Sequence, residues 1–262
     1  MTSIGSSSAN PTVQEFGVLW LESKYEVLKL WRLPSFVLPT ILFPVMFYML
    51  FGVVLASTFH ISGIATKILI ANFGTMAVMA TSLFGFGVRV AVERSQGWLE
   101  VKRVSPVPII TYFGAKLAAS LTFAIGAITI LLILGNTLGR GRLGAEEVIS
   151  LSAVLLLGCI PFSALGLVVG YFAEASAAPA IVNAIMWPLA FLSGLWIPLS
   201  LLPGSLQRIA WVLPAYQLDQ LAVRTVGAPN DGRRSWVYVL ALGAFSLCCL
   251  TVAAIRFRGN EQ

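Results

Sequence analysis

The side chains best equipped for chemistry are concentrated in one short stretch, Val92 to Pro108, which reads V-E-R-S-Q-G-W-L-E-V-K-R-V-S-P-V-P. At helical spacing Glu93, Gln96, Glu100 and Arg103 share one face, with Trp98, Val101 and Val104 as an apolar stripe beside it. Pro106 and Pro108 stop such a helix, since proline lacks the amide donor and its ring clashes with the preceding turn. Carboxylates, an amide and a guanidinium on one face suit ion pairing and hydrogen bonding with another macromolecule. A bland alternative is local pairing, such as Glu100 with Arg103 at i, i+3.

Other chemistry is thin. The chain has no H-E-x-x-H, no G-x-S-x-G and no G-x-x-x-x-G-K-[ST], so neither a zinc protease, a serine hydrolase nor a P-loop ATPase is expected from it. Cys159, Cys248 and Cys249 all fall in apolar runs and His60 is the one histidine, which gives no metal spacing and no disulfide framework. The apolar runs carry essentially no Asp, Glu, Lys, Arg or His in their interiors. The midspan carboxylate that proton- or sodium-coupled transport would use is therefore not expected. Any driving force must come from outside, and the charged loop is the place to receive it.

The elements around this loop are membrane spans. Of 262 residues 58% are hydrophobic and 11% charged, far below the roughly one quarter charged of a soluble domain. Six runs approach the ~20 apolar residues that a bilayer demands: Ser35–Ala56, Ile68–Val88, Phe113–Leu134, Val148–Phe172, Ala177–Leu199 and Trp236–Ile255. Arg89 and Lys116 sit at span ends, where long side chains can snorkel to water. The expected fold class is all-α: a polytopic membrane protein with six transmembrane helices. The expected organisation is an N-terminal lead-in over 1–34, a transmembrane domain over 35–256 and a short cytoplasmic tail over 257–262.

An even span count puts both termini on one side, with ten basic residues there and seven on the other. Four of the seven lie in the long Ser200–Ser235 connection, so the flanking charges orient the termini and the Glu93 loop to the cytoplasm. This scatter along span boundaries explains the net charge of +6 without nucleic acid. Before the first span, Val13 to Leu33 reads as an amphipathic interface helix. Phe16, Trp20, Val27 and Trp31 form its apolar arc, with Glu15, Glu22, Glu26 and Lys29 broadly opposite. After the fifth span, Leu206, Ile209, Ala210 and Leu213 repeat at helical spacing between Pro203 and Pro214. A second segment follows through Leu218, Leu221 and Ala222. Both are too short to cross, so they dip into the outer leaflet as re-entrant helices or lie on the surface as a loop.

These motifs together resemble the permeases of ABC type-2 transporters. The resemblance is carried by E-R-S-Q-G-W-L-E at Glu93–Glu100, V-S-P at Val104–Pro106, G-A-K at Gly114–Lys116, R-L-P at Arg32–Pro34 and the run from Gly194 to Pro214. Ser95 and Trp98 stand where that family more usually has an acidic residue and a threonine. The resemblance implies an exporter subunit of the cell inner membrane that binds no cofactor itself, ATP and Mg being held by a separate cytosolic ABC ATPase. It also implies a second permease chain, identical or related, to complete the path. Glu93, Arg94, Gln96, Gly97, Trp98, Leu99, Glu100, Arg103, Ser105 and Pro106 then become the coupling helix on which the ATPase docks. Trp196, Pro198, Pro203, Leu206, Ile209, Leu213 and Pro214 become the outer re-entrant gate.

Asn72, Thr75 and Asn183 are the polar candidates for the substrate path, among aromatics such as Phe43, Phe47 and Phe51 that suit an amphipathic or lipophilic solute. Gly166 with Gly170, and Ala115 with Ala119, offer small faces for helix packing, either within the chain or at a dimer seam. A stand-alone secondary transporter or channel, and a membrane scaffold, are the competing readings.

Overall fold

A computed structural model describes residues 11–98, 109–229 and 232–259, and every regular element among them is helical. The helices are α1 (Pro11–Trp31), α2 (Pro34–Thr58), α3 (Gly63–Ser95), α4 (Ile109–Thr137), α5 (Ala145–Leu157) and α6 (Cys159–Phe172). They continue with α7 (Ala178–Leu192), α8 (Gly204–Ala210), α9 (Pro214–Thr225) and α10 (Ser235–Gly259). Five stretches are long and apolar enough to cross a membrane: α2, α3, most of α4, α5 joined with α6, and most of α10.

α3 is the axis of the bundle. In its most apolar window 89% of the residues are buried, against 22% for α2 and 28% for α10. Phe73, Met76, Met79 and Leu83 supply much of its buried surface, and α2, α4, α6, α7 and α9 all pack on it. The outer helices keep apolar stripes that no described residue covers. Leu38, Leu42, Met46 and Leu50 of α2, four residues apart, are each nearly half exposed. Such a stripe needs lipid tails or another apolar surface against it.

Close approach of backbones decides the packing of α6 on α3. A Cβ on Gly166 would stand 2.8 Å from the Phe86 Cβ and 3.1 Å from the Gly87 nitrogen, and one on Gly170 would stand 2.7 Å from the Val90 Cβ. The small-residue face therefore serves contact within the chain. Ala115 and Ala119 are likewise fully buried.

One sequence expectation needs correction. The fifth apolar run was expected to be helical to Leu199, but α7 stops at Leu192. Gly194 adopts φ +86°, its amide bonds the Phe191 carbonyl, and the Leu195 amide reaches back to the Ala190 carbonyl. This left-handed glycine cap closes the helix although the hydrophobicity continues. At 15 residues α7 is about 22 Å long, short of a ~30 Å hydrocarbon layer. Of the two readings of the α9 segment, the plain surface loop does not fit: Ala215, Tyr216, Leu218, Asp219 and Ala222 are buried, and the helix packs on α3, α5 and α10.

Candidate functional site

The charged loop begins differently from its sequence pattern. Val92 to Ser95 form the last turn of α3 rather than the start of a separate helix. The break follows at Gln96 and Gly97, where Gly97 takes φ +74° and its amide bonds the Arg94 carbonyl. A glycine in this left-handed conformation ends the helix without the Cβ clash other residues would suffer. Trp98 then opens the next segment with its ring half exposed. Leu99, Glu100, Arg103, Ser105 and Pro106 lie outside the described residues.

Glu93 is the centre of this end of the bundle, and it faces inward. It is 4% exposed. One oxygen accepts from Lys29 of α1 at 2.6 Å and from Arg89, one turn earlier on α3, at 3.3 Å. The other accepts from the Tyr112 hydroxyl and lies 2.9 Å from the Lys116 ammonium, both on α4. Lys116 also reaches Glu26 of α1 at 3.4 Å. Two carboxylates thus hold three cations, and the network ties α1, α3 and α4 together just before the Gly97 break. A buried charge survives only when paired and hydrogen-bonded in this way.

The arrangement overturns two local readings. Lys116, 2% exposed, does not snorkel to water; Glu93 and Glu26 hold it inside. Glu26, expected on the water-facing side of the interface helix, points into the bundle with Leu30. Trp20 and Trp31 face outward, 71% and 67% exposed, as befits rings at headgroup level. Glu93 itself presents no free carboxylate to an incoming subunit. Arg94 is committed as well, donating to the Tyr171 and Ala173 carbonyls at the C-terminal end of α6. Gln96 and Trp98 remain outward, and a cleft of about 440 Å³ opens beside Trp98, lined by Tyr25, Glu26, Lys29, Glu93 and Tyr112.

A sequence profile of the ABC-2 type transporter matches residues 18–218, about three quarters of the chain. The chain belongs to the ABC-2 type transporter family. It is also similar to a Bacillus subtilis (strain 168) protein named "Putative transport permease YvfS". The two are 27% identical over 244 residues, which covers 93% of this chain and 98% of that protein. Membership makes this ABC-2 chain a multi-pass membrane protein with a transport permease role, in agreement with its long apolar helices.

At the opposite end of α3, about 30 Å from Glu93 by helical rise, the remaining candidates separate. Asn72 is buried and donates its side-chain amide to the Leu195 carbonyl at 3.2 Å, so the glycine cap of α7 positions it. Thr75, one turn further along α3, is fully buried. Asn183 is spent on its own helix, donating to the Pro179 carbonyl and accepting from the Trp187 ring nitrogen. Trp196 packs into an aromatic cluster, 4.3 Å from Phe47 between ring centroids, with Phe51, Phe73 and Trp187 around it. Pro198 is exposed, as are Pro203 and Ile209, whereas Pro214 is buried and Leu206 and Leu213 are half-buried.

Sequence reasoning missed Asp219. It lies on α9, between spans by hydrophobicity, and so escaped the search for ionisable groups inside the bundle. Here it is 4% exposed, and its Oδ1 meets no hydrogen-bond donor among the described residues. Burial pushes its carboxyl up to about 8. The one available signal was its place in A-Y-Q-L-D-Q-L-A, where Asp219 interrupts a segment otherwise rich in core residues.

Proposed function

We propose that this chain is the membrane half of an ATP-driven exporter in a cell inner membrane, moving an amphipathic or lipophilic solute. The observation that carries the reading is the buried network around Glu93. It couples the interface helix to α3 and α4 immediately before an exposed Trp98 and a cleft. A cytosolic ABC ATPase would dock on Gln96, Gly97, Trp98 and the residues to Pro106, holding ATP and Mg itself. Glu93 and Arg94 act in this scheme as anchors inside the permease, which transmit the load rather than touch the partner. Force on the loop would move α1, α3 and α4 together, because their charges cannot be separated without leaving one unpaired.

In this scheme α7 and its capped exit complete a sixth crossing, which leaves both termini in the cytoplasm. Two permease chains, identical or related, would enclose the path. Gly166 and Gly170 are engaged within the chain, so the seam lies on other surfaces. The uncovered stripes of α2 and α10 are its candidates, alongside lipid.

The test is site-directed crosslinking in intact cells, with a cysteine at Gln96 or Trp98. Crosslinks to a cytosolic ATPase, promoted by nucleotide, would support the assignment. Labelling of Gln96→Cys from the outer surface would end it. A stand-alone coupled transporter gains one point in its favour from Asp219, the buried carboxylate such a mechanism needs. Uptake or efflux by the purified chain in liposomes without nucleotide would select that alternative.

A further inference from the structure

We propose that the cavity walled by α3, α9 and the exit of α7 is a binding site for the ammonium group of an amphipathic amine, with Asp219 as its counter-ion. The inference deepens the permease reading by naming a solute class, and it rests on that reading for its transport consequence alone.

The cavity has a volume of about 340 Å³, and Asn72, Ser193 and Asp219 are among the polar residues that line it. These side chains are 7%, 2% and 4% exposed. Asn72 Oδ1, Ser193 Oγ and Asp219 Oδ1 are each buried without a hydrogen-bond partner among the described residues. Buried polar atoms are normally satisfied, and three of those left unpartnered belong to residues lining this one cavity. Each orphan costs desolvation energy that no described residue returns.

The chemistry of the orphans selects the ligand. The Asn72 amide nitrogen already donates to the Leu195 carbonyl, which turns its oxygen into the acceptor left over. Asp219 offers oxygens once an incoming ammonium draws its carboxyl into the ionised form, and a serine hydroxyl can accept. A ligand that fits must therefore donate. An anion would meet the carboxylate, and a neutral ether or ketone would bring further acceptors. A primary ammonium brings three donors and the opposite charge. Leu69, Val223 and the rings of Trp196 and Tyr216 line the same space, giving an apolar body somewhere to lie and a cation aromatic faces. Pro198 and Pro229 at the rim are exposed, so the site has a mouth.

The experiment is calorimetric titration of the full chain in nanodiscs, comparing phenethylamine with phenethyl alcohol, its neutral analogue. Wild type should bind the amine about tenfold more tightly or better, as one charge-assisted contact provides. Asp219→Asn should erase that preference while leaving the alcohol unaffected, and Asn72→Ala should weaken the amine severalfold. Equal affinity of wild type for amine and alcohol would overturn the proposal, and that comparison needs no variant to fold. A preference that survives Asp219→Asn would overturn it too. No ATPase is present, so failure here leaves the docking scheme standing. Loss of ATPase crosslinking would in turn leave this binding result intact.

Discussion

The Glu93 carboxylate lies 2.9 Å from the Lys116 ammonium, and neither side chain is more than 5% exposed. Lys29, Arg89 and Tyr112 complete the shell of donors around Glu93. Replacing Glu93 with Gln leaves Lys29 and Lys116 with Glu26 alone and takes from Arg89 the carboxylate it pairs with. Loss of one partner from a buried pair costs about 3–5 kcal/mol, and Lys29 at 47% exposed adds little of this. Lys116→Met should cost less than Glu93→Gln, because Lys29 and Arg89 still hold the carboxylate. The double variant should be less destabilised than the sum of the two singles. Chemical unfolding of the four proteins in detergent measures the cycle.

Trp98 predicts the opposite pattern. Its ring is half exposed and does not support the bundle, so Trp98→Ala should change stability by no more than about 0.5 kcal/mol. Co-purification with the proposed ATPase partner should nevertheless fall. Unchanged recovery of the ATPase would place the docking contact elsewhere on the loop.

Gly166→Leu tests the packing of α6 on α3. The first carbon alone would sit 3.1 Å from the Gly87 nitrogen and 3.2 Å from the Ser82 carbonyl oxygen, backbone atoms that cannot swing away. Overpacking of this kind costs about 1–3 kcal/mol or more. The melting temperature should drop with no change in oligomeric state. A dimer that dissociates while each chain stays equally stable would move the seam back to this face.

Asp219 gives the empty protein a pH signature. Its carboxyl is raised by burial to about 8, above the ~3.9 of an unfolded chain. Between those values the folded state retains a proton that the unfolded state has released. Stability from this group is thus highest at low pH and declines as pH rises through that window. Thermal melting at pH 6 and pH 8.5 should show the decline in wild type and a smaller one in Asp219→Asn. Equal slopes would mean the carboxyl ionises freely.

Hydropathy alone established the membrane class, because twenty apolar residues in a row leave the backbone no stable home except a helix in lipid. It also marked the Glu93–Pro108 loop and the polar break after the fifth run. Where each charge points was decided by the tertiary structure. Glu26, Lys116 and Glu93 are separated by up to 90 residues, so their mutual neutralisation is invisible until α1, α3 and α4 pack together. The end of α7 at Leu192 needed the backbone of Gly194, since hydrophobicity runs on to Leu199 regardless. Asp219 reads as a loop carboxylate in one dimension; only the seating of α9 against α3, α5 and α10 strips its water away. Solubility in lipid is a property of composition, whereas the worth of a charge depends on which groups surround it.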